Sequence, residues 1–291
     1  MTGARLGGRG RTRQSLRTDQ QERVDRGRPA GAVRLTVVVP AYQEGERAGQ
    51  AVLRLRQALA PTLGAGEVEI IVVDDGSTDD TARHAVEAGA DRVLSLPVNR
   101  GKGAAVRTGV LAARGRTVAF TDADLSYSPD QLVPLMEQVE AGWDMVVGSR
   151  RHVDTTTLVK AGRLREVTGR VFNLLTSVAL LGQYRDTQCG LKAFRSDVAR
   201  VLFGHQRLDG MAFDVELFLL AELWRLSLKE VPVTLSNSTR STVRVVLEAY
   251  RMARDVVRLR WWAARGRYRL APEESRLVHR QSARGPADQG R

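Results

Sequence analysis

At 291 residues and 43% hydrophobic content, the chain is long enough for one substantial core with room for tails. Its single cysteine, Cys189, excludes a disulfide framework and any site built from several cysteines. Four histidines without an HExxH pattern argue against zinc, so a bound metal would be hard and oxygen-liganded. A formal charge of +12 favours anionic partners: nucleic acid, anionic lipid or phosphorylated substrates.

Residues 1–32 hold glycine, arginine and polar side chains without an apolar period, which predicts a disordered basic arm. Leu35 to Val39 is a short β-branched run closed by Pro40, and Glu46 to Leu59 reads as a helix. Val68 to Val73 forms a second predicted strand, ending at Asp74-Asp75-Gly76; Ser77 to Asp80 supplies N-cap chemistry for the next helix. A third strand is predicted over Arg92 to Ser95, a helix over Gly103 to Ala113 and a fourth strand over Thr117 to Phe120. A helix over Gln131 to Glu140 and a fifth strand over Asp144 to Val147 follow. Continuous apolar strands alternating with helices predict an α/β fold with a mostly parallel sheet covered on both faces.

Beyond Val147 the pattern is less regular, with predicted helices over Leu164 to Leu181, Ser196 to Phe203 and Phe213 to Trp224. Val231 to Val233 reads as a short edge strand, because Pro232 cannot donate to a central ladder. A last helix is predicted from Val243 to Trp262, within a segment 239–268 that separates a domain at 33–238 from a loose tail at 269–291. It carries Arg244, Arg251 and Arg258 at heptad spacing with Arg254 nearby, and Val243, Val246, Leu247, Tyr250, Val257 and Trp261 as apolar surface. Two readings fit it: a helix packed on the domain with a solvated arginine face, or an interfacial anchor using Trp261, Trp262, Arg260 and Arg265. No stretch reaches the roughly 18 apolar residues of a membrane-spanning helix. The arginine-rich N-terminus lacks the apolar core of a secretory signal, so a protein on the cytoplasmic side is expected, soluble or peripheral at the membrane face.

In such sheets ligands bind beyond the carboxyl ends of the strands. The polar signals fall at those ends: Pro40-Ala41-Tyr42, Asp74-Asp75, Asn99-Arg100-Gly101-Lys102 and Asp122-Ala123-Asp124. Two carboxylates one residue apart, Asp122 and Asp124, can reach one cation where the backbone turns. Mg²⁺ or Mn²⁺ would accept them and keep positions open for diphosphate oxygens. Turn or cap residues are the bland alternative. Carboxylates at a strand tip, as at Asp74 and Asp75, can accept hydrogen bonds from a base or ribose, whereas Ser77 to Asp80 are explained by capping. Glycines around Lys102 allow close backbone approach at a helix N-terminus, which favours an anion.

The set VVVPAYQEGER, IIVVDDGSTDDT, NRGKGAAVRTG, TDADLS and VVGSRR, in this order and spacing, resembles the family 2 glycosyltransferases with the GT-A fold, over about Leu35 to Ser236. Arg185 to Phe194 and Asp209 to Glu216 resemble the branch that glycosylates polyprenyl phosphates, above all dolichyl-phosphate glucosyltransferases. The resemblance implies a Rossmann-like sheet sandwiched by helices, a nucleotide-sugar donor and a polyprenyl-phosphate acceptor. It implies that Pro40, Ala41, Tyr42 and Glu44 line the nucleotide pocket, that Asp75 contacts base or ribose with support from Asp74, and that Lys102 lies near the nucleotide. Asp122 and Asp124 would hold the metal. Arg150 would face the acceptor phosphate, helped by Arg165 or Arg170, and Asp186 and Gln188 would border the sugar near the reaction centre, with Asp186 able to serve as base or sugar anchor. Ser126 stands where mannosyltransferase relatives carry a glutamine that contacts the metal. The resemblance favours glucose from UDP-glucose over mannose from GDP-mannose, with a non-lipid acceptor as a further alternative.

Two other classes share parts of the pattern. A nucleotidyltransferase would carry a glycine-rich basic loop after the first strand, and Pro40 to Glu44 is not that loop. A nucleic-acid-binding protein would need a recognition helix, a zinc finger or an aromatic RNA-binding motif, and the sequence offers none.

Overall fold

A computed structural model describes residues 33–64, 66–150, 186–187, 189–235 and 245–279. The arm over 1–32, the helix expected from Leu164 to Leu181 and the last residues of the chain lie outside the described residues. Seven strands form one sheet: β1 (Leu35–Ala41), β2 (Val68–Asp74), β3 (Arg92–Ser95), β4 (Thr117–Phe120), β5 (Met145–Ser149), β6 (Lys192–Arg195) and β7 (Leu228–Pro232). Their order is β3-β2-β1-β4-β6-β5-β7. All neighbours pair in parallel except β6, which runs antiparallel to both β4 and β5.

The period-2 alternation of a strand divides the core between the two faces. Val37 and Val39 of β1, with Ile70 and Val72 of β2, pack towards α1 (Glu46–Leu59) and α4 (Leu132–Glu140). Val38, Ile71 and Val73 face the other way, towards α3 (Lys102–Ala112), α5 (Ser196–His205) and α6 (Phe213–Leu223). α1 meets the sheet through Ala48, Ala51, Val52, Leu55 and Leu59, and α4 through Leu132, Leu135, Met136 and Val139, both at helical three-and-four spacing. α6 is buried along most of its length, so it forms a central pillar of the second face. The short α2 (Thr81–Glu87) follows the capping run that the sequence marks. Each fully buried Val, Leu or Ile contributes about 1.5–3 kcal/mol of transfer free energy.

β7 occupies the sheet edge beside β5, as Pro232 requires. Three features depart from the expectation. β6 is a strand where the sequence showed only a motif. Asp144 is not part of a strand; it lies wholly buried before β5, where it accepts hydrogen bonds from Arg195 (2.5 Å) and from the Ser227 amide and hydroxyl (2.9 Å each). The tail expected to be loose from residue 269 contains α8 (Pro272–His279), fixed by the buried Val278, whose carbonyl accepts from Arg195 Nη2 at 3.0 Å.

The helix α7 (Val245–Ala264) packs on the domain through Met252, Val256 and Leu259. Arg251, Arg254, Arg258 and Arg260 are exposed, as are Val257 and Trp261. No helix among the described residues is long and apolar enough to cross a membrane.

Candidate active site

The parallel strands deliver their carboxyl ends to one edge, and the polar segments gather there. The Asp75 amide donates to the Ala41 carbonyl at 2.8 Å, which ties the tips of β1 and β2. Beyond Ala41, Tyr42 is exposed and Gln43 holds a left-handed backbone (φ 55°), its amide donating to Ser77 Oγ and its Nε2 to Thr78 Oγ1. The Glu44 and Gly45 amides share Thr81 Oγ1. Pro40, Ala41, Tyr42 and Glu44 are therefore contiguous with the Asp74-Asp75 tip.

Asp74 and Asp75 are both buried. Asp74 Oδ1 accepts the Ser77 amide at 3.0 Å. The Asp75 carboxylate accepts the Arg100 amide at 2.8 Å and the Gly101 amide at 2.7 Å. Asp75 thus anchors the loop that opens α3, a role the motif alone did not reveal. Gly76 (φ 74°) is required there, because a Cβ would stand 2.5 Å from the Val98 carbonyl carbon. The same loop is held from the other side by Asp209, which pairs with Arg100 (2.8 Å) and Arg107 (2.7 Å).

Asp122 and Asp124 follow β4 in a tight turn. Leu125 adopts φ 45° while its amide donates to the Asp122 carbonyl at 3.0 Å, the kind of local strain that persists where function demands a geometry. Ser126 binds both oxygens of Asp124, through its amide (3.0 Å) and its hydroxyl (2.8 Å), so it orients this carboxylate. Lys102 Nζ contacts Asp122 Oδ1. Burial works against the Lys102 charge, but Asp122, Asp214 and Asp124 outweigh it and raise the pKa. Partial burial raises the Glu44 pKa; Arg47 opposes this, and the negative charges of Asp124 and Asp122 add to it. Gly190 closes this corner: a Cβ there would collide with the Asp122 carboxylate.

The chemistry of this pair fits a hard divalent cation, since both side chains offer oxygen and both are partly exposed. Among the described residues no group of three or more His, Cys, Asp or Glu is arranged to hold a metal. Two carboxylates leave most positions of such an ion to phosphate oxygens and water, the pattern of Mg²⁺ sites that work on diphosphates.

At the end of β5, Arg150 and Asp186 form a bidentate pair: Nε to Oδ2 at 2.7 Å, Nη2 to Oδ1 at 2.9 Å, with the Arg150 amide also on Oδ2 at 3.0 Å. Asp186 is buried whereas the Arg150 side chain stays 41% exposed. Burial alone would raise the Asp186 pKa, but the hydrogen bonds and charge of Arg150 lower it below the usual carboxylate value. A carboxylate so held is a weak proton acceptor and a strong orienter of Arg150. Cys189 is buried nearby, and burial pushes its thiol up to about 11, which disfavours the thiolate near neutral pH. Gln188, Arg165 and Arg170 lie outside the described residues.

Two residues without an assigned role stand behind the site. Lys192 and Asp214 form a buried ion pair at 2.8 Å. Burial raises the Asp214 pKa, with Lys192 and then Lys102 pulling against that shift. A lysine alternating with apolar neighbours, in Leu191-Lys192-Ala193-Phe194, was the available signal for an inward, paired charge.

Comparison with known proteins agrees with this geometry. The model of "Glycosyl transferase family 2" matches residues 36–203. The dolichyl-phosphate beta-glucosyltransferase of Drosophila melanogaster is 36% identical over 77% of this chain and 74% of its own length. The human protein of that name is 31% identical over 84% and 80%. Among solved structures, glucosyl-3-phosphoglycerate synthase from Mycobacterium tuberculosis in complex with Mn²⁺, UDP and glucosyl-3-phosphoglycerate superposes with a TM-score of 0.56. It shares 25% identity with this chain and aligns over 80% of this chain and 84% of that one. With its sheet order, its strand-end acidic pair and these matches, the chain belongs to glycosyl transferase family 2 and has the GT-A fold.

Proposed function

We propose that this protein is an inverting hexosyltransferase that moves glucose from UDP-glucose onto a polyprenyl or dolichyl phosphate at the cytoplasmic face of a membrane. The observation that carries the reading is the strand-end set Asp122, Asp124, Lys102 and Arg150, in a chain that resembles dolichyl-phosphate glucosyltransferases over most of its length. Asp122 and Asp124 would hold Mg²⁺ or Mn²⁺, which when bound supplies charge neutralisation on the donor diphosphate. Pro40, Ala41, Tyr42 and Glu44 would wall the nucleotide, with Asp74 and Asp75 fixing the loop that brings Lys102 to the phosphates. Lys102 then offsets the charge that develops on the departing nucleoside diphosphate.

Arg150, aimed by Asp186, would grip the acceptor phosphate through its exposed edge, with Arg165 or Arg170 assisting. A phosphate monoester is anionic near neutral pH, so it attacks the anomeric carbon without a strong general base. This agrees with the lowered pKa of Asp186, which serves as orienter and, with Gln188, as sugar contact. Direct displacement inverts an α-linked donor to a β-linked product.

For the membrane we propose the outward face of α7 together with the turn that follows it. Between 251 and 270, a stretch that runs past the end of α7, seven arginines less Asp255 give a net charge of +6, and Trp261, 45% exposed, lies against Arg265 at 4.0 Å. One observation favours a second acceptor class: the mycobacterial structural relative binds a soluble phosphorylated product. The test is a panel of UDP- and GDP-sugars offered with dolichyl phosphate, polyprenyl phosphate or phosphoglyceric acid and Mg²⁺ or Mn²⁺, with products identified by mass spectrometry. Glucosyl transfer from UDP-glucose to the lipid phosphates is expected. Transfer only to phosphoglyceric acid, or only from GDP-mannose, overturns the corresponding half of the reading.

A further inference from the structure

Behind the strand-end acids the charges continue inward. Lys192 is wholly buried on β6, and its ammonium donates to Asp214 Oδ1 at 2.8 Å and to the Cys189 carbonyl at 2.6 Å, between the rings of Phe120 (5.4 Å) and Phe218 (5.9 Å). Burying two unit charges usually costs as much as their attraction returns, and well-packed apolar replacements are often as stable. Stability alone is therefore a poor reason for this pair, and its neighbours offer another.

Phe213, next to Asp214, packs against Gly103 so closely that a Cβ on Gly103 would fall 2.7 Å from Phe213 Cβ. That contact sets Asp214 beside the N-terminus of α3, where Lys102 reaches Asp122. The Cys189 carbonyl gripped by Lys192 precedes Gly190, which lies against the Asp122 carboxylate. The buried pair is thus joined to the strand-end acids on two sides, through the Cys189-Gly190 wall behind Asp122 and through the Phe213–Gly103 contact at the start of α3.

We infer that the buried Lys192–Asp214 pair is a positioning element for donor binding: Lys192 fixes the Cys189-Gly190 wall behind Asp122, and Asp214 holds Lys192 in turn from beside Phe213, which packs against the start of α3. Without the pair the Cys189-Gly190 wall loses its grip, and the Asp122 carboxylate loses the fixed backing behind it. This rests on the reading of the site as a cation and nucleoside-diphosphate site.

The test measures Mn²⁺ binding by electron paramagnetic resonance and UDP binding by calorimetry, with GDP as a control. It compares wild type, Asp214→Asn, and the apolar double variant Lys192→Met/Asp214→Leu. The double variant is expected to retain most of the wild-type thermal stability, while Mn²⁺–UDP affinity stays about tenfold or more below wild type. Asp214→Asn, which keeps the shape and removes the charge, is expected to lose affinity in the same direction and keeps the inference exposed if the double variant does not fold. Wild-type affinity in either folded variant overturns the positioning role and leaves the functional reading standing. A wild-type protein that binds neither UDP nor GDP with Mn²⁺ overturns both.

Discussion

On the β3-β2-β1-β4 side of the sheet, carboxylates are held mostly by loop amides and hydroxyls; on the β6-β5-β7 side they are held by arginine and lysine. Asp74 accepts from Ser77, Asp75 from Arg100 and Gly101, and Asp124 from Ser126. Across the sheet, Asp186 binds Arg150, Asp214 binds Lys192 and Asp144 binds Arg195. A carboxylate satisfied by amides keeps its net negative charge and can still attract a cation with its ligand. One satisfied by a full positive charge is neutralised and chiefly sets geometry. Asp122 lies where the two regimes meet, against Lys102 on one side and Gly190 on the other.

The largest expected effect breaks the amide-held side. Asp124→Ala should reduce sugar transfer by about 10²–10³-fold with little change in thermal midpoint, because the side chain is only partly buried. Radiolabelled transfer and a melting curve check both; full transfer would remove Asp124 from the site.

Arg150→Ala tests the ion-paired side. It strands the buried Asp186 carboxylate, which should cost about 1–3 kcal/mol of stability and raise KM for the acceptor more than for the donor. Equal KM changes would argue against the acceptor role. Because the Asp186 pKa is lowered in the fold, the pair's stabilisation is present above the unfolded value of 3.8 and is lost as pH falls through the lower folded value. The stability gap between wild type and Arg150→Ala should therefore narrow below pH 3.8, a trend that denaturant titration across acid pH would reveal.

Gly190→Ala probes the seam. Its methyl group would collide with Asp122, so Mn²⁺ affinity should fall by about tenfold; unchanged affinity would separate the two sides. The smallest effect concerns the membrane. Arg260→Ala should weaken sedimentation with phosphatidylglycerol vesicles by about fivefold, close to 1 kcal/mol per basic residue. Wild-type protein that fails to bind such vesicles at moderate salt contradicts the role given to α7.

The same divide governs what was legible in the sequence. β3 and β4 fall on their predicted bounds because Arg92 to Ser95 and Thr117 to Phe120 are uninterrupted strand-like runs between clear turns. α1 likewise matches Glu46 to Leu59, where apolar residues recur at helical spacing. β6 was hidden because Lys192 and Arg195 make its ends read as surface. Their burial depends on Asp214 and Asp144, which are 22 and 51 residues away. α8 was hidden by its charged composition, although Pro272 followed by Glu273 and Glu274 is a helix-start signal. In the site, the strand-tip acids could be read from their position after apolar runs. Asp75 as a loop anchor and Asp186 as the partner of Arg150 could not, because both roles rest on contacts distant in sequence.

The most direct measurement of the account is the anomeric configuration of the product formed from UDP-α-glucose and dolichyl phosphate, read by NMR with wild type and Asp124→Ala. A β-linked glucosyl phosphate, formed with Mg²⁺ or Mn²⁺ and lost in the variant, is predicted. An α-linked product, or undiminished transfer by Asp124→Ala, would contradict direct displacement between an acid-held donor and an arginine-held acceptor.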